Sequence, residues 1–159
     1  MTSRATALVC GRYAGIDHRF TVAYAHEEIS LGDFILNGGE LAACALVESV
    51  ARLLPGVLGN SASAVNDSFT DGQLECPQFT RPREAAGLPV PAPLLSGDHA
   101  KIRAFERAVS AIRTHIFRPD LAASSPQDLR AQVELVAQLR DDELRSLGLD
   151  RAALKGCLK

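Results

Sequence analysis

The chain has no apolar run approaching the ~18–20 residues that a membrane-spanning helix needs. The longest, Leu41 to Val47, is interrupted at once by Glu48 and Ser49, so no membrane partner is expected. Nothing after Met1 has the small-residue cleavage site of a secretory leader, which makes the cytoplasm the expected compartment. Cysteine is sparse, and residues 10, 44, 76 and 157 stand too far apart for a Cys-x-x-Cys metal or redox pair. They are expected to be reduced. None of the four histidines, 18, 26, 99 and 115, has ligand spacing to another, and no metal site is expected. A Gly-x-Gly-x-x-Gly fingerprint and a P-loop are both missing, which removes the two best-marked nucleotide-binding signatures. Neither sign of charge dominates, with 17 basic against 19 acidic residues and a net charge of −2.

What remains is a 159-residue chain, 47% hydrophobic and 23% charged, long enough to bury about two-thirds of its unfolded surface around one core. Its charge is unevenly spread. Residues 1–80 carry four basic and nine acidic groups, residues 81–118 seven and three, and residues 119–159 six and seven. The net charge argues neither for nor against a nucleic-acid partner, but positive charge is concentrated in the middle.

Thr6 to Cys10 is a short apolar run ending at Gly11 and predicts a buried strand. Glu28 to Leu36 predicts two short strands or a strand and a bend, and 17–25 between them is long enough for a short helix. So few strands cannot make a covered sheet, so this part is expected to be the end of a larger α/β unit. Asn37-Gly-Gly-Glu40 opens a helix, with Asn37 as cap and Glu40 reaching back, and the apolar run through Leu54 predicts that this helix is buried. Gly59 to Gly72 is too polar to hold itself down and predicts a mobile loop or lid. Five of eight prolines fall between Pro77 and Pro93, which favours an extended strap. Beyond it, Ser96 is the expected cap of a helix whose Ile102, Phe105, Val109, Ile112 and Ile116 form one apolar stripe. A further helix is expected from Ser125-Pro126, carrying Leu129, Val133, Val136 and Ala137 inward, with at most short helix from Asp141.

Three glycine-bearing turns follow apolar segments: Cys10-Gly-Arg-Tyr, Leu31-Gly-Asp-Phe and Asn37-Gly-Gly-Glu. Each fits either an ordinary turn or a place where backbone approaches a ligand. Arg52, one turn after Glu48, either pairs with it or faces a cavity. Asp67 is the first acid of the polar loop: a solvated carboxylate or Asx turn on one reading, a mobile base on the other. Lys101, Arg103, Arg107 and Arg113 lie off the apolar stripe, as a solvated face or as phosphate contacts.

Together these pieces resemble the bacterial tRNA (guanine-N1)-methyltransferases. The resemblance rests on five blocks in order. They are Cys10-Gly-Arg-Tyr-Ala-Gly-Ile-Asp17, the run from Glu28 through Asn37-Gly-Gly-Glu40 to Ala43, Ala51-Arg-Leu-Leu-Pro-Gly-Val-Leu-Gly-Asn60, Asp67-Ser-Phe-Thr-Asp-Gly72, and Leu94-Leu-Ser-Gly-Asp-His-Ala-Lys-Ile-Arg103. The resemblance implies an α/β fold, the C-terminal part of a trefoil-knotted SPOUT methyltransferase followed by a small all-helical domain. Residues 1–58 would belong to the knotted cofactor-binding domain, 59–95 would form a flexible lid and Pro-rich strap, and 96–159 a helical tRNA-binding domain. S-adenosylmethionine would be held by backbone around Gly11, along Leu31, Gly32, Asp33, Phe34, Ile35 and Leu36, and at Gly38 and Gly39. Asp67 would take the N1 proton of the guanine 3′ of the anticodon, and Arg52 would stabilise charge on O6. The polar loop would order when tRNA arrives, Lys101, Arg103, Arg107 and Arg113 would contact its phosphates, the chain would work as a homodimer, and Mg²⁺ would assist. Ala14 stands where the family carries Glu, and the family's amino-terminal Leu-Ser-Pro-Gln-Gly turn has no counterpart before Cys10. Two readings follow from the resemblance: an enzyme completed by that missing piece, or a non-catalytic remnant that keeps tRNA-binding or dimerisation surfaces.

Overall fold

The computed structural model describes residues 5–57, 67–124 and 129–158. The first part of the expected lid, 59–66 of 59–72, and the helix start at 125–128 lie outside the described residues. Contacts divide the chain into two units, Met1–Ser61 and Ala62–Lys159.

The first unit holds two helices joined by irregular chain. Helix α1, His18–Tyr24, forms where a short helix was expected: Asp17 caps it by accepting from the Arg19 amide at 2.9 Å, and Arg19 returns its guanidinium to the same carboxylate. Helix α2, Glu40–Ala51, starts one residue after Gly39, which occupies the N-cap without a side-chain bond. Asn37 is therefore not the cap. Three expectations are corrected here. Neither 6–10 nor 28–36 forms a strand, and the ladder is reduced to isolated bridges of Arg12 with Gly15 and Gly38. Strands need neighbours to satisfy their amides, and among the described residues of this unit none is placed to pair with them. Helix α2 has no buried residue: Leu41 is 69% exposed and Val50 53%. Its apolar surface was read correctly from composition, but nothing among the described residues of the unit covers it. No described residue from 5 to 57 is buried.

The second unit carries the core. After residue 76, instead of one extended strap, a two-stranded antiparallel hairpin forms, β1 (Glu84–Ala85) with β2 (Leu88–Pro89), in register Glu84 to Pro89 and Ala85 to Leu88. Ala86 and Gly87 turn it with φ of 54° and 72°, the left-handed pair that a two-residue hairpin loop demands. A 3₁₀ turn, Ala92–Leu95, leads to α3, His99–Phe117. Asp98, not Ser96, caps α3, accepting from the amides of Ala100 and Lys101 at 3.0 and 3.3 Å. The stripe is where periodicity placed it: Phe105, Val109 and Ile112 are fully buried, with Ile116 packed at the margin.

Helix α4, Pro119–Ser124, follows, and then α5, Arg130–Val136, which brings Leu129, Val133 and Val136 into the core while Ala137 faces outward. The tail does more than expected. Helices α6, Asp141–Ser146, and α7, Arg151–Gly156, supply buried Leu144 and Leu154, and the turn between them supplies Leu147 and Leu149. Glu143 is buried beneath the 3₁₀ turn, where its carboxylate accepts from the amides of Ala92 at 2.8 Å and Arg140 at 3.0 Å. Burial works against its charge, but those two amides and the Arg140 guanidinium outweigh it and hold its pKa below the usual glutamate value. Cys76 sits in the same core, its thiol pushed up to about 12 chiefly by burial.

Candidate functional site

In the first unit, two glycine turns meet. Gly15 donates its amide to the Arg12 carbonyl at 3.1 Å, closing a tight turn after Gly11, and Arg12 bridges to Gly38. The Arg12 Nε donates to Glu40 Oε1 at 2.7 Å. Glu40's own amide, with this guanidinium, holds the carboxyl below its ordinary range against partial desolvation. The chain segments approach so closely that a Cβ on residue 39 would lie 3.2 Å from both Cα and Cβ of Cys10, which is a packing reason for glycine there.

Between the turns lies a recess of about 270 Å³ lined by Arg12, Ile35, Leu36, Asn37, Gly38, Glu40 and Leu41. Three of the nine expected cofactor residues, Ile35, Leu36 and Gly38, are on its wall. Gly11 precedes Arg12 in the adjoining turn, and Gly39 packs against Cys10. Leu31, Gly32, Asp33 and Phe34 lie on the exposed segment leading in and do not line the recess. Arg12, Asn37, Glu40 and Leu41 were not expected in this role. Glu40 was read as a local cap, and the only signal for it as a wall residue is its pairing with a residue 28 positions away.

The recess suits part of an adenosine-sized group. Ile35, Leu36 and Leu41 offer apolar walls for a flat ring, glycine at 38 leaves main chain accessible, and the Arg12–Glu40 pair gives one rim both signs of charge. Its volume of about 270 Å³ lies near the ~300 Å³ lower bound usual for pockets that enclose a drug-sized ligand.

Arg52 is the half-buried C-cap residue of α2, its amide donating to the Glu48 carbonyl at 3.2 Å. Asp67 belongs to the second unit and begins a tight turn. There the Thr70 amide donates to the Asp67 carbonyl at 3.3 Å, Phe69 to the Gln73 carbonyl at 2.7 Å and Gly72 to the Phe69 carbonyl at 3.2 Å. The described part of the expected lid, 67–72, is thus folded on itself.

On α3, His99, Arg103 and Arg107 recur every fourth residue on an exposed face, the spacing that stacks side chains along one side of a helix. Lys101 is exposed at the first turn and pairs with Asp98 at 3.4 Å. Arg113 departs from the expectation. Its Nη1 donates to the Leu147 carbonyl, its guanidinium lies 5.0 Å from the centre of the Phe117 ring, and its buried Nε has no partner among the described groups. It ties α3 to the turn after α6 and is not a solvent-facing phosphate contact. Among the described residues, no three His, Cys, Asp or Glu side chains gather to hold a metal, and no helix is long and apolar enough to cross a membrane.

The family model described as tRNA (Guanine-1)-methyltransferase TrmD matches residues 1–124. The chain is 56% identical over 119 residues to a tRNA (guanine-N(1)-)-methyltransferase of Shewanella frigidimarina, covering 75% of this chain and 48% of the relative. It is 55% identical over 117 residues to that of Geotalea uraniireducens, covering 74% and 47%. To that of Frankia alni it is 56% identical over 116 residues, covering 73% and 44%. The chain thus spans about half the length of the curated relatives it matches.

Proposed function

Since the chain belongs to the tRNA (guanine-1)-methyltransferase family, we propose that it takes part in methyl transfer from S-adenosylmethionine to N1 of the guanine 3′ of the anticodon. The observation that carries this reading is the family match over 1–124, which spans the recess, Arg52 and Asp67 in one stretch. S-adenosylmethionine supplies an electrophilic methyl carbon on a sulfonium centre. Main chain at 35–38, with Ile35, Leu36 and Leu41, would hold its nucleoside part, and Gly11 and Gly39 keep the adjoining turns close enough to shape that wall.

The Asp67 carboxylate would accept the N1 proton of guanine, leaving the ring nitrogen's electron pair free to bond the methyl carbon, while the electrons of the broken carbon–sulfur bond would go to sulfur, which would leave as the neutral thioether. Arg52 would place a fixed positive charge toward the O6 oxygen, where negative charge grows as N1 loses its proton. Exposed Lys101, Arg103 and Arg107 would bind backbone phosphates, a contact that is sequence-independent and weakens with salt. The knotted fold, the homodimer and a cytoplasmic site of action belong to the same proposal. Mg²⁺ has no residue-built site among the described residues.

The test is methylation of a tRNA transcript by the chain and by two variants. Asp67→Ala should abolish transfer and leave S-adenosylmethionine affinity within about twofold, and Arg52→Ala should lower turnover more than tRNA affinity. Equal loss of turnover and cofactor binding in Asp67→Ala would remove Asp67 from the base role.

A second reading is favoured by Ala14, where the family carries Glu, and by the uncovered apolar surface of α2: a chain that keeps the phosphate-binding face without transferring methyl. It predicts salt-dependent tRNA binding with no S-adenosylmethionine binding.

A further inference from the structure

The turn that begins at Asp67 is fastened to the last turn of α3 by two side chains to which the functional reading gives no role. Phe69, two residues after Asp67, has φ of 77°, a left-handed conformation that a side chain bearing an aromatic ring rarely adopts without support from outside the turn. That support is Arg118, the C-cap residue of α3, whose guanidinium lies 5.4 Å from the centre of the Phe69 ring. Arg118 is itself immobilised: its Nε and Nη2 donate to the two carboxylate oxygens of Asp120 at 2.9 and 2.6 Å, the forked geometry that fixes a guanidinium plane. One helical turn earlier, the buried Thr114 hydroxyl accepts from the Leu74 amide at 2.8 Å while donating to the Ser110 carbonyl at 2.7 Å. Ser68 Oγ closes the base of the turn by accepting from the Glu75 amide at 2.9 Å.

We infer that Arg118 is a positioning residue, a clamp that holds the Asp67 turn against α3 and sets the carboxylate's place before substrate arrives. This deepens the proposed function and rests on its reading of Asp67 as the base. It also replaces part of the expectation that the whole polar loop waits for tRNA to order. The described segment 67–75 is built onto α3 by contacts within its own unit. Arg118 touches the Phe69 ring, two residues from Asp67, so it acts on where the base sits and not on the chemistry.

The experiment is amide hydrogen exchange by NMR on the full 159-residue chain, comparing the parent with Arg118→Met and Arg118→Lys. Met keeps much of the aliphatic length but loses the cation and the Asp120 fork, while Lys keeps the cation. Expected is at least a tenfold loss of protection at the Phe69 and Gly72 amides in Arg118→Met, with a smaller loss in Arg118→Lys, which keeps the cation but not the fork. Ile112 and Val136, in the core, should be unchanged in both. The Asp67 carboxyl carbon resonance should move toward that of a flexible-chain aspartate in Arg118→Met and return part of the way in Arg118→Lys, a signature that general loss of stability would not give. Phe69 and Gly72 protection within twofold of the parent in Arg118→Met overturns the clamp. So does a loss shared equally by Ile112 and Val136, which would make Arg118 a fold-stabilising residue only. Asp67→Asn in the methylation assay tests the base reading separately: retained transfer there would remove the base and leave the exchange result on the clamp to stand or fall alone.

Discussion

Replacing Glu143 by Gln should cost the helical unit about 2 kcal/mol at pH 7. The buried carboxylate accepts two backbone amides, Ala92 at 2.8 Å and Arg140 at 3.0 Å, one on each oxygen, and faces the Arg140 guanidinium at 3.4 Å. Glutamine is nearly isosteric but has one acceptor oxygen. Its NH₂ must point at one of the two N–H donors, so one amide loses its partner at a part-buried bond. Bonds to an ionised acceptor contribute ~1.5–3 kcal/mol each, and a buried unsatisfied donor costs ~1–3 kcal/mol, overlapping quantities that place the loss near 2 kcal/mol. For a unit of this size that corresponds to a fall in Tm of roughly 8–16 °C. The cooperative transition in far-ultraviolet circular dichroism should be that of this unit, because no described residue from 5 to 57 is buried. The sign of the pH dependence follows from the direction of the shift. Glu143 has a folded-state pKa below the ordinary value of 4.5, so its contribution is fully present above about pH 4.5. It fades as pH falls through the folded pKa. The difference between parent and Glu143→Gln should therefore be constant from pH 5.5 to 7.5 and shrink progressively below pH 4.5. A loss under about 0.5 kcal/mol at pH 7, or one that grows on acidification, would refute this account of how the 3₁₀ turn is held to the C-terminal helices.

Thiol labelling should separate the cysteines: at pH 8 exposed Cys44 should react with a disulfide reagent in the native chain, and Cys76, buried and with its thiol pushed up to about 12, should react only after unfolding. Ile112→Ala, which empties a fully buried site in α3, should cost about 3 kcal/mol in urea denaturation. Leu41→Ala, 69% exposed on α2, should cost less than about 0.5 kcal/mol in the same chain. Gly39→Val, whose side chain would press on Cys10, should weaken S-adenosylmethionine binding at least tenfold in calorimetry without changing the urea midpoint of the helical unit. Arg103→Ala and Arg107→Ala should each flatten the logarithmic salt dependence of tRNA binding by about 0.7–0.9, and Arg113→Ala should leave that slope unchanged while lowering Tm.

The elements that read most truly from sequence were those whose stabilising contacts are local or periodic. Phe105, Val109 and Ile112 declared the buried face of α3 through spacing alone, and Leu129, Val133 and Val136 did the same for the next helix. Thr6–Cys10 and Glu28–Leu36 misled because β-propensity describes a segment's fitness for a sheet and says nothing about whether a partner strand is beside it. The apolar run in α2 likewise records what the helix would bury given a neighbour, and its exposed Leu41 and Val50 show that composition does not supply the neighbour. At the site, the glycine turns at 11 and 38–39 were legible because close chain approach leaves a residue signature. Arg12 and Glu40 were not, since their pairing joins positions 28 apart. Arg113 was grouped with Arg103 and Arg107 by charge. What separates them is a carbonyl at Leu147, 34 residues along the chain, that no helical periodicity reports.

The central claim, that the turns at 11–15 and 35–41 form a cofactor wall, is tested most directly by calorimetric titration of the 159-residue chain with S-adenosylmethionine. Saturable binding at one site per chain, weakened at least tenfold by Gly39→Val, is the predicted result. Absence of binding by a chain whose helical unit unfolds cooperatively would contradict it.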